Sequence, residues 1–153
     1  MELWIFFLPD FKYISSEMAA RYSNAPDYPE VAKRALAQMV KQTGDAKFDE
    51  RDMMKRGVIV RHLILPGHIK ESKEAIRYLY ETYGDQIYIS IMNQYTPMPG
   101  IEKRFKNLGR TITQKEYDEV VDYAIDLGVE NGFIQEGETA KESFIPQFDD
   151  TGL

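Results

Sequence analysis

The chain has 153 residues with 43% hydrophobic and 29% charged side chains, the size and balance of one globular domain with one core. Its 25 acidic against 19 basic residues give a net charge of −6, which argues against a broad nucleic-acid footprint. With no cysteine it can form neither disulfides nor thiolate ligands, and disulfide exchange and thiolate catalysis are excluded.

The apolar run Leu3–Leu8 is too short for a membrane span and lacks the basic flank of a signal peptide, so a cytoplasmic protein is expected. The run from Glu2 to Leu8 predicts a strand buried on both faces of a parallel sheet, stopped by Pro9. Ser15 or Ser16 caps a short helix to about Arg21, and Asn24, Pro26 and Asp27 make a turn. Asp27 with Glu30 predicts an acidic capping box for a second helix whose Val31, Ala35, Leu36, Met39 and Val40 recur at helical spacing until Gly44.

Lys47–Lys55 is polar around Phe48, Met53 and Met54 and reads as an excursion of hairpin type. Gly57–Leu65 predicts a second buried strand ended by Pro66-Gly67, and Glu71–Tyr83 a helix with Ile76, Leu79, Tyr80 and Tyr83 on one stripe. Gln86–Met92 is a third strand followed by the polar loop Asn93–Pro97, and Pro97–Arg110 is irregular. Thr113 and Glu116 form a capping box for a helix that closes at Gly128, before a short final strand at Gly132–Ile134. This alternation predicts an α/β domain over residues 1–135, with parallel strands joined by right-handed crossovers. Residues 136–153 are expected to form an extended tail.

In such a sheet the site lies beyond the carboxyl ends of the strands. Asp10 and Lys12 are two apart at a strand end, so an extended backbone aims both to one side, toward a zwitterion or a cation or simply toward solvent. Arg61 lies in an otherwise apolar strand, where an unpaired charge would cost several kcal/mol, so it calls for a carboxylate or a bound anion. His62 and His68, the two histidines, have no carboxylate at ligand spacing and make a poor metal site. No nucleophile elbow, phosphate loop or dinucleotide glycine pattern is present, which removes the usual hydrolase and nucleotidase readings.

Four segments carry a resemblance: Leu8–Tyr13 (LPDFKY), Val60–His68 (VRHLILPGH), Tyr88–Pro97 (YISIMNQYTP) and Phe144–Asp149 (FIPQFD). Together, in this order, they resemble radical S-adenosylmethionine (SAM) proteins related to pyruvate formate-lyase activating enzyme. The resemblance implies the C-terminal half of a partial (β/α)6 TIM-like barrel of about three to four parallel strands, corresponding to the fourth, fifth and sixth strands of the whole. It implies that Asp10 and Lys12 lie near the SAM end of the first of these, that Arg61 reaches toward SAM from the second, and that Asn93 and Tyr95 line the pocket from the third.

Complete members of that family use a [4Fe-4S] cluster on a CxxxCxxC loop to reduce SAM and act on a glycine of a protein partner. This chain has no such loop, so it cannot bind the cluster, and it is expected to be catalytically inactive alone. The alternative expectation is a small non-catalytic module that binds a partner chain or a SAM-like ligand. An unpaired first-strand edge beside Trp4, Ile5, Phe6 and Phe7 predicts a homo-oligomer.

Overall fold

A computed structural model of the chain describes residues 5–136 and 141–144. Strand β1 spans Ile5–Phe7, helix α1 Ser16–Ser23, helix α2 Tyr28–Thr43, strand β2 Lys47–Phe48 and strand β3 Met54–Leu63. Helix α3 (Ile69–Tyr83), strand β4 (Tyr88–Met92), helix α4 (Gln114–Leu127), strand β5 (Gly132–Glu136) and strand β6 (Lys141–Phe144) follow.

The sheet runs β1-β3-β4-β5-β6, with β2 added beside β3. The α/β class and the parallel strands follow the expectation. The pairs β1/β3, β3/β4 and β4/β5 are parallel, while the short additions β2 and β6 are antiparallel. The register of β1 against β3 stays constant from Ile5 opposite Arg56 to Asp10 opposite Arg61, although regular pairing lapses between them.

The major parallel strands lie side by side in sequence order, so each crossover helix packs on the same face. Leu36 and Val40 of α2, Ala75, Ile76 and Leu79 of α3, and Tyr117, Val120, Val121 and Ala124 of α4 form one buried cluster with Val58, Val60, Ile64, Ile89, Ile91 and Ile134. Strand residues alternate between faces, so β3 gives Val58, Val60 and His62 to the helices, all fully buried. Ile59, Arg61 and Leu63 go to the opposite face and are only half-buried. Phe6 and Leu8 on that face are 45% and 50% exposed.

The strands therefore differ from the expected burial on both faces. A parallel strand needs a helical layer on each side to be fully covered, and among the described residues the helices supply only one.

Local signals fared unevenly. Ser15 caps α1 by accepting from the Met18 amide. The Thr113–Glu116 capping box is present in both directions, at 3.0 and 2.8 Å. The box expected at Asp27 is absent: Asp27 has helical backbone angles and makes no side-chain cap. A capping side chain reaches the amide of the third helical residue from extended backbone, and the helical angles of Asp27 do not provide that approach.

The excursion at Lys47–Lys55 is a hairpin, in which Asp49 accepts from the Arg51 and Met53 amides. Gly57 lets it close, because its φ of +139° suits glycine and an added Cβ would lie 3.0 Å from the Ala46 Cα. The expected tail departs from prediction at Lys141–Phe144, which pairs with β5 through Phe133 opposite Phe144. The remainder of the tail, residues 137–140 and 145–153, and Trp4 lie outside the described residues.

Candidate functional site

The carboxyl ends of β3 and β4 and the segment after β1 meet around one cavity of about 260 Å³. It is lined by Asp10, Lys12, Tyr13, Arg61, Leu63, Leu65, Met92 and Tyr95. Period-two alternation explains the β3 contribution, since Arg61, Leu63 and Leu65 share one side.

Arg61 takes a carboxylate partner. Its Nε donates to Asp10 Oδ1 at 2.8 Å, and the backbones are joined by Arg61 N–H to the Pro9 carbonyl and Phe11 N–H to the Arg61 carbonyl. The two side chains are 42% and 47% exposed, so the strand does not bury this charge as the sequence suggested. A pair this open is worth at most about 1 kcal/mol to stability, which leaves its placement at the cavity as the more informative property.

Lys12 is held through its backbone: its amide donates to the Tyr28 hydroxyl at 2.9 Å, and that hydroxyl donates to the Asp10 carbonyl at 3.1 Å. Burial raises the Tyr28 hydroxyl above its ordinary pKa. Tyr95 donates to the Leu108 carbonyl at 2.8 Å, which ties the loop after β4 to the segment before α4. Burial, and then the neighbouring Tyr22, raise its pKa.

Of the five candidate residues, Asp10, Lys12, Arg61 and Tyr95 line the cavity. Asn93 does not.

Sequence reasoning missed a second cluster next to Tyr95. The Tyr22 hydroxyl lies 2.7 Å from His68 Nε2 and accepts from the Asn107 side-chain amide at 3.2 Å; that amide also donates to the Pro66 carbonyl. Burial and the nearby Arg21 lower the His68 pKa. These side chains come from α1, from the start of α3 and from the segment before α4, so no local spacing announces them.

His62 is fully buried, with Nδ1 2.8 Å from the Phe11 carbonyl and Nε2 2.8 Å from Ser72 Oγ. A carbonyl only accepts, so Nδ1 carries the proton and Nε2 accepts from the serine. Burial lowers the His62 pKa, so the ring is neutral. Among the described residues no cluster of histidine and carboxylate side chains is arranged to hold a metal. No described helix is long and apolar enough to cross a membrane.

No family model matches the chain, and no solved structure matches it. An uncharacterized protein of Methanocaldococcus jannaschii is 27% identical over 118 residues. The match covers 77% of this chain and 30% of that protein, so the chain is similar to less than a third of its relative's length.

Proposed function

We propose that this chain is the C-terminal half of a radical SAM protein related to pyruvate formate-lyase activating enzyme, carrying part of a SAM pocket and no catalysis of its own. The observation that carries the reading is the convergence of Asp10, Lys12, Arg61 and Tyr95 on one cavity at the carboxyl ends of successive strands. They come from three of the four segments that bear the resemblance.

The winding supports the same reading. Side-by-side parallel strands with every crossover helix on one face follow the pattern of a barrel wall, whereas a doubly wound sheet reverses strand order and places helices on both faces. The half-exposed apolar face is then the interior of a barrel whose other wall comes from elsewhere.

The residues fit the two cofactors of that family unequally. A [4Fe-4S] cluster does not fit: the chain has no thiolate, and no alternative donor cluster exists among the described residues. SAM fits in part. The cavity's 260 Å³ falls below the roughly 300–1,000 Å³ of enclosed small-molecule pockets, so these walls hold only a portion of such a ligand. Arg61 and Lys12 present cations to a carboxylate, Asp10 presents an anion to an amino group, and Leu63, Leu65 and Met92 offer apolar surface. With no electron source in the chain, the residues bind and orient but do not reduce.

Backbone amide resonances followed during a SAM titration test the reading. Weak binding should move the signals of Lys12, Arg61, Leu63 and Tyr95, and Arg61→Ala should abolish the response. No change at roughly millimolar SAM, a concentration chosen to reveal even very weak binding, would remove the pocket from the proposal. Deoxyadenosine released from SAM by the isolated chain would refute catalytic silence. A second reading, a non-catalytic module that binds a partner chain, draws on the open sheet face with Phe6 and Leu8 exposed.

A further inference from the structure

The chain is acidic overall, yet the ten residues Ile101–Arg110 hold Lys103, Arg104, Lys106 and Arg110 against the single acid Glu102. Arg110 is committed to Glu116, with two hydrogen bonds at 2.8 and 3.0 Å. Lys103, Arg104 and Lys106 are exposed.

Across from them, α1 presents the exposed Arg21, whose guanidinium carbon lies 5.5 Å from the centre of the Tyr22 ring and 5.8 Å from that of Phe105. Arg104 lies 5.1 Å from the centre of the same Phe105 ring. Tyr22 and Phe105 meet edge to face at 4.8 Å, fastening the two segments together. Two guanidinium groups separated by 83 positions in sequence thus share one aromatic anchor. Among the described residues no carboxylate ion-pairs with either of them.

We infer that this surface docks a short acidic polypeptide segment, with Arg21 and Arg104 each receiving a carboxylate. A guanidinium resting on an aromatic ring keeps its N–H groups available at the edge and gives up less side-chain freedom when a carboxylate binds. The charge complementarity is local. Glu17, one turn before Arg21, and Glu74 line the hollow beside His68 and Lys70, so acids bound the patch on that side. Glu71, also there, is occupied by the Ile14 and Ser15 amides at 2.7 and 2.9 Å.

A patch so limited on a protein of net charge −6 suits a few carboxylates and repels a long polyanion. Nucleic acid is therefore the disfavoured occupant, although Tyr22 and Phe105 are aromatic. The proposal rests on Arg21, Arg104 and Phe105, none of which lines the cavity of the SAM proposal.

Fluorescence polarisation of a labelled hexaglutamate peptide at low salt tests the inference, with hexaserine, hexalysine and a ten-nucleotide thymidine oligomer as controls. The acidic peptide should bind best, and its affinity should fall as salt rises. The exposed-site double variant Arg21→Glu, Arg104→Glu should weaken it by about 100-fold or more, as expected when two direct charge contacts turn repulsive. Phe105→Leu, which keeps apolar packing but removes the ring, should weaken it roughly two- to five-fold. Circular dichroism establishes that each variant is folded. Hexaglutamate binding no better than hexaserine, binding unchanged in the double variant, or tighter binding of the oligonucleotide would each overturn the inference. SAM binding is scored separately, so failure here leaves the pocket proposal standing, and the reverse holds.

Discussion

Replacing Glu116 by glutamine should cost the protein about 2 kcal/mol at neutral pH, because one carboxylate joins three separate segments. Its Oε1 accepts from the Thr113 amide and from Arg110, both at 2.8 Å, while Oε2 accepts from the Gly67 amide at 2.9 Å and from Arg110 at 3.0 Å. The first of these caps α4, and the Gly67 bond pins the turn that follows β3. The Arg110 hydrogen bonds, opposed by burial and aided by the two amides, hold the Glu116 pKa down at about 2 against an ordinary 4.5.

That difference corresponds to about 3 kcal/mol at most. Arg110 is 47% exposed while the Glu116 side chain is 12% exposed, so solvent screening of the arginine lowers the figure to about 2 kcal/mol. The folded pKa is depressed, so this stability is complete above the unfolded value near 4.5 and disappears as pH falls toward 2.

Glutamine keeps the shape but loses the charge, and it turns an NH2 group toward donors. At pH 7 the variant should melt roughly 4–8 °C below the parent, with the gap shrinking steadily between pH 4.5 and pH 3. Thermal unfolding followed by circular dichroism at several pH values measures both quantities. An equal melting temperature at pH 7, or a gap that does not change with pH, would refute the reasoning.

Two further outcomes follow from the same structure. His62 is neutral in the fold and its pKa lies below the ordinary value, so stability is complete above about pH 6.5 and falls as pH drops below it. His62→Gln should flatten that slope in urea titrations between pH 7 and pH 5. His68 shifts in the same direction, and His68→Gln reports its share. The β1 edge, with Phe6 and Leu8 exposed, is expected to drive self-association of the isolated chain, which light scattering should detect and Leu8→Lys should suppress. A monomer at all concentrations would contradict that expectation.

Nearly continuous apolar runs and punctuation by proline and glycine announced the major strands, but such runs misstated the burial, because residue identity does not reveal whether a second helical layer covers the sheet. The Thr113–Glu116 box was equally legible, since its two halves are three residues apart. The Asp27 box misled because its signature records residue types three apart and not the backbone angles of the cap, which here are helical. Asp10 and Lys12 could be nominated from their position at a strand end and Arg61 as a charge in an apolar strand, whereas Tyr95 and Asn93 were nominated only by the family resemblance, and of these two Tyr95 lines the cavity.

The sequence by itself determined the α/β alternation, the strand-end loops and the absence of any thiolate chemistry, all of which depend on residue identity or short-range spacing. Only the tertiary structure decided that Asp10 is the partner of Arg61, that Tyr22 meets His68 and Asn107, and that the helices gather on one face. Those outcomes depend on strand order and crossover packing, which bring together residues tens of positions apart and leave no periodic trace in the chain.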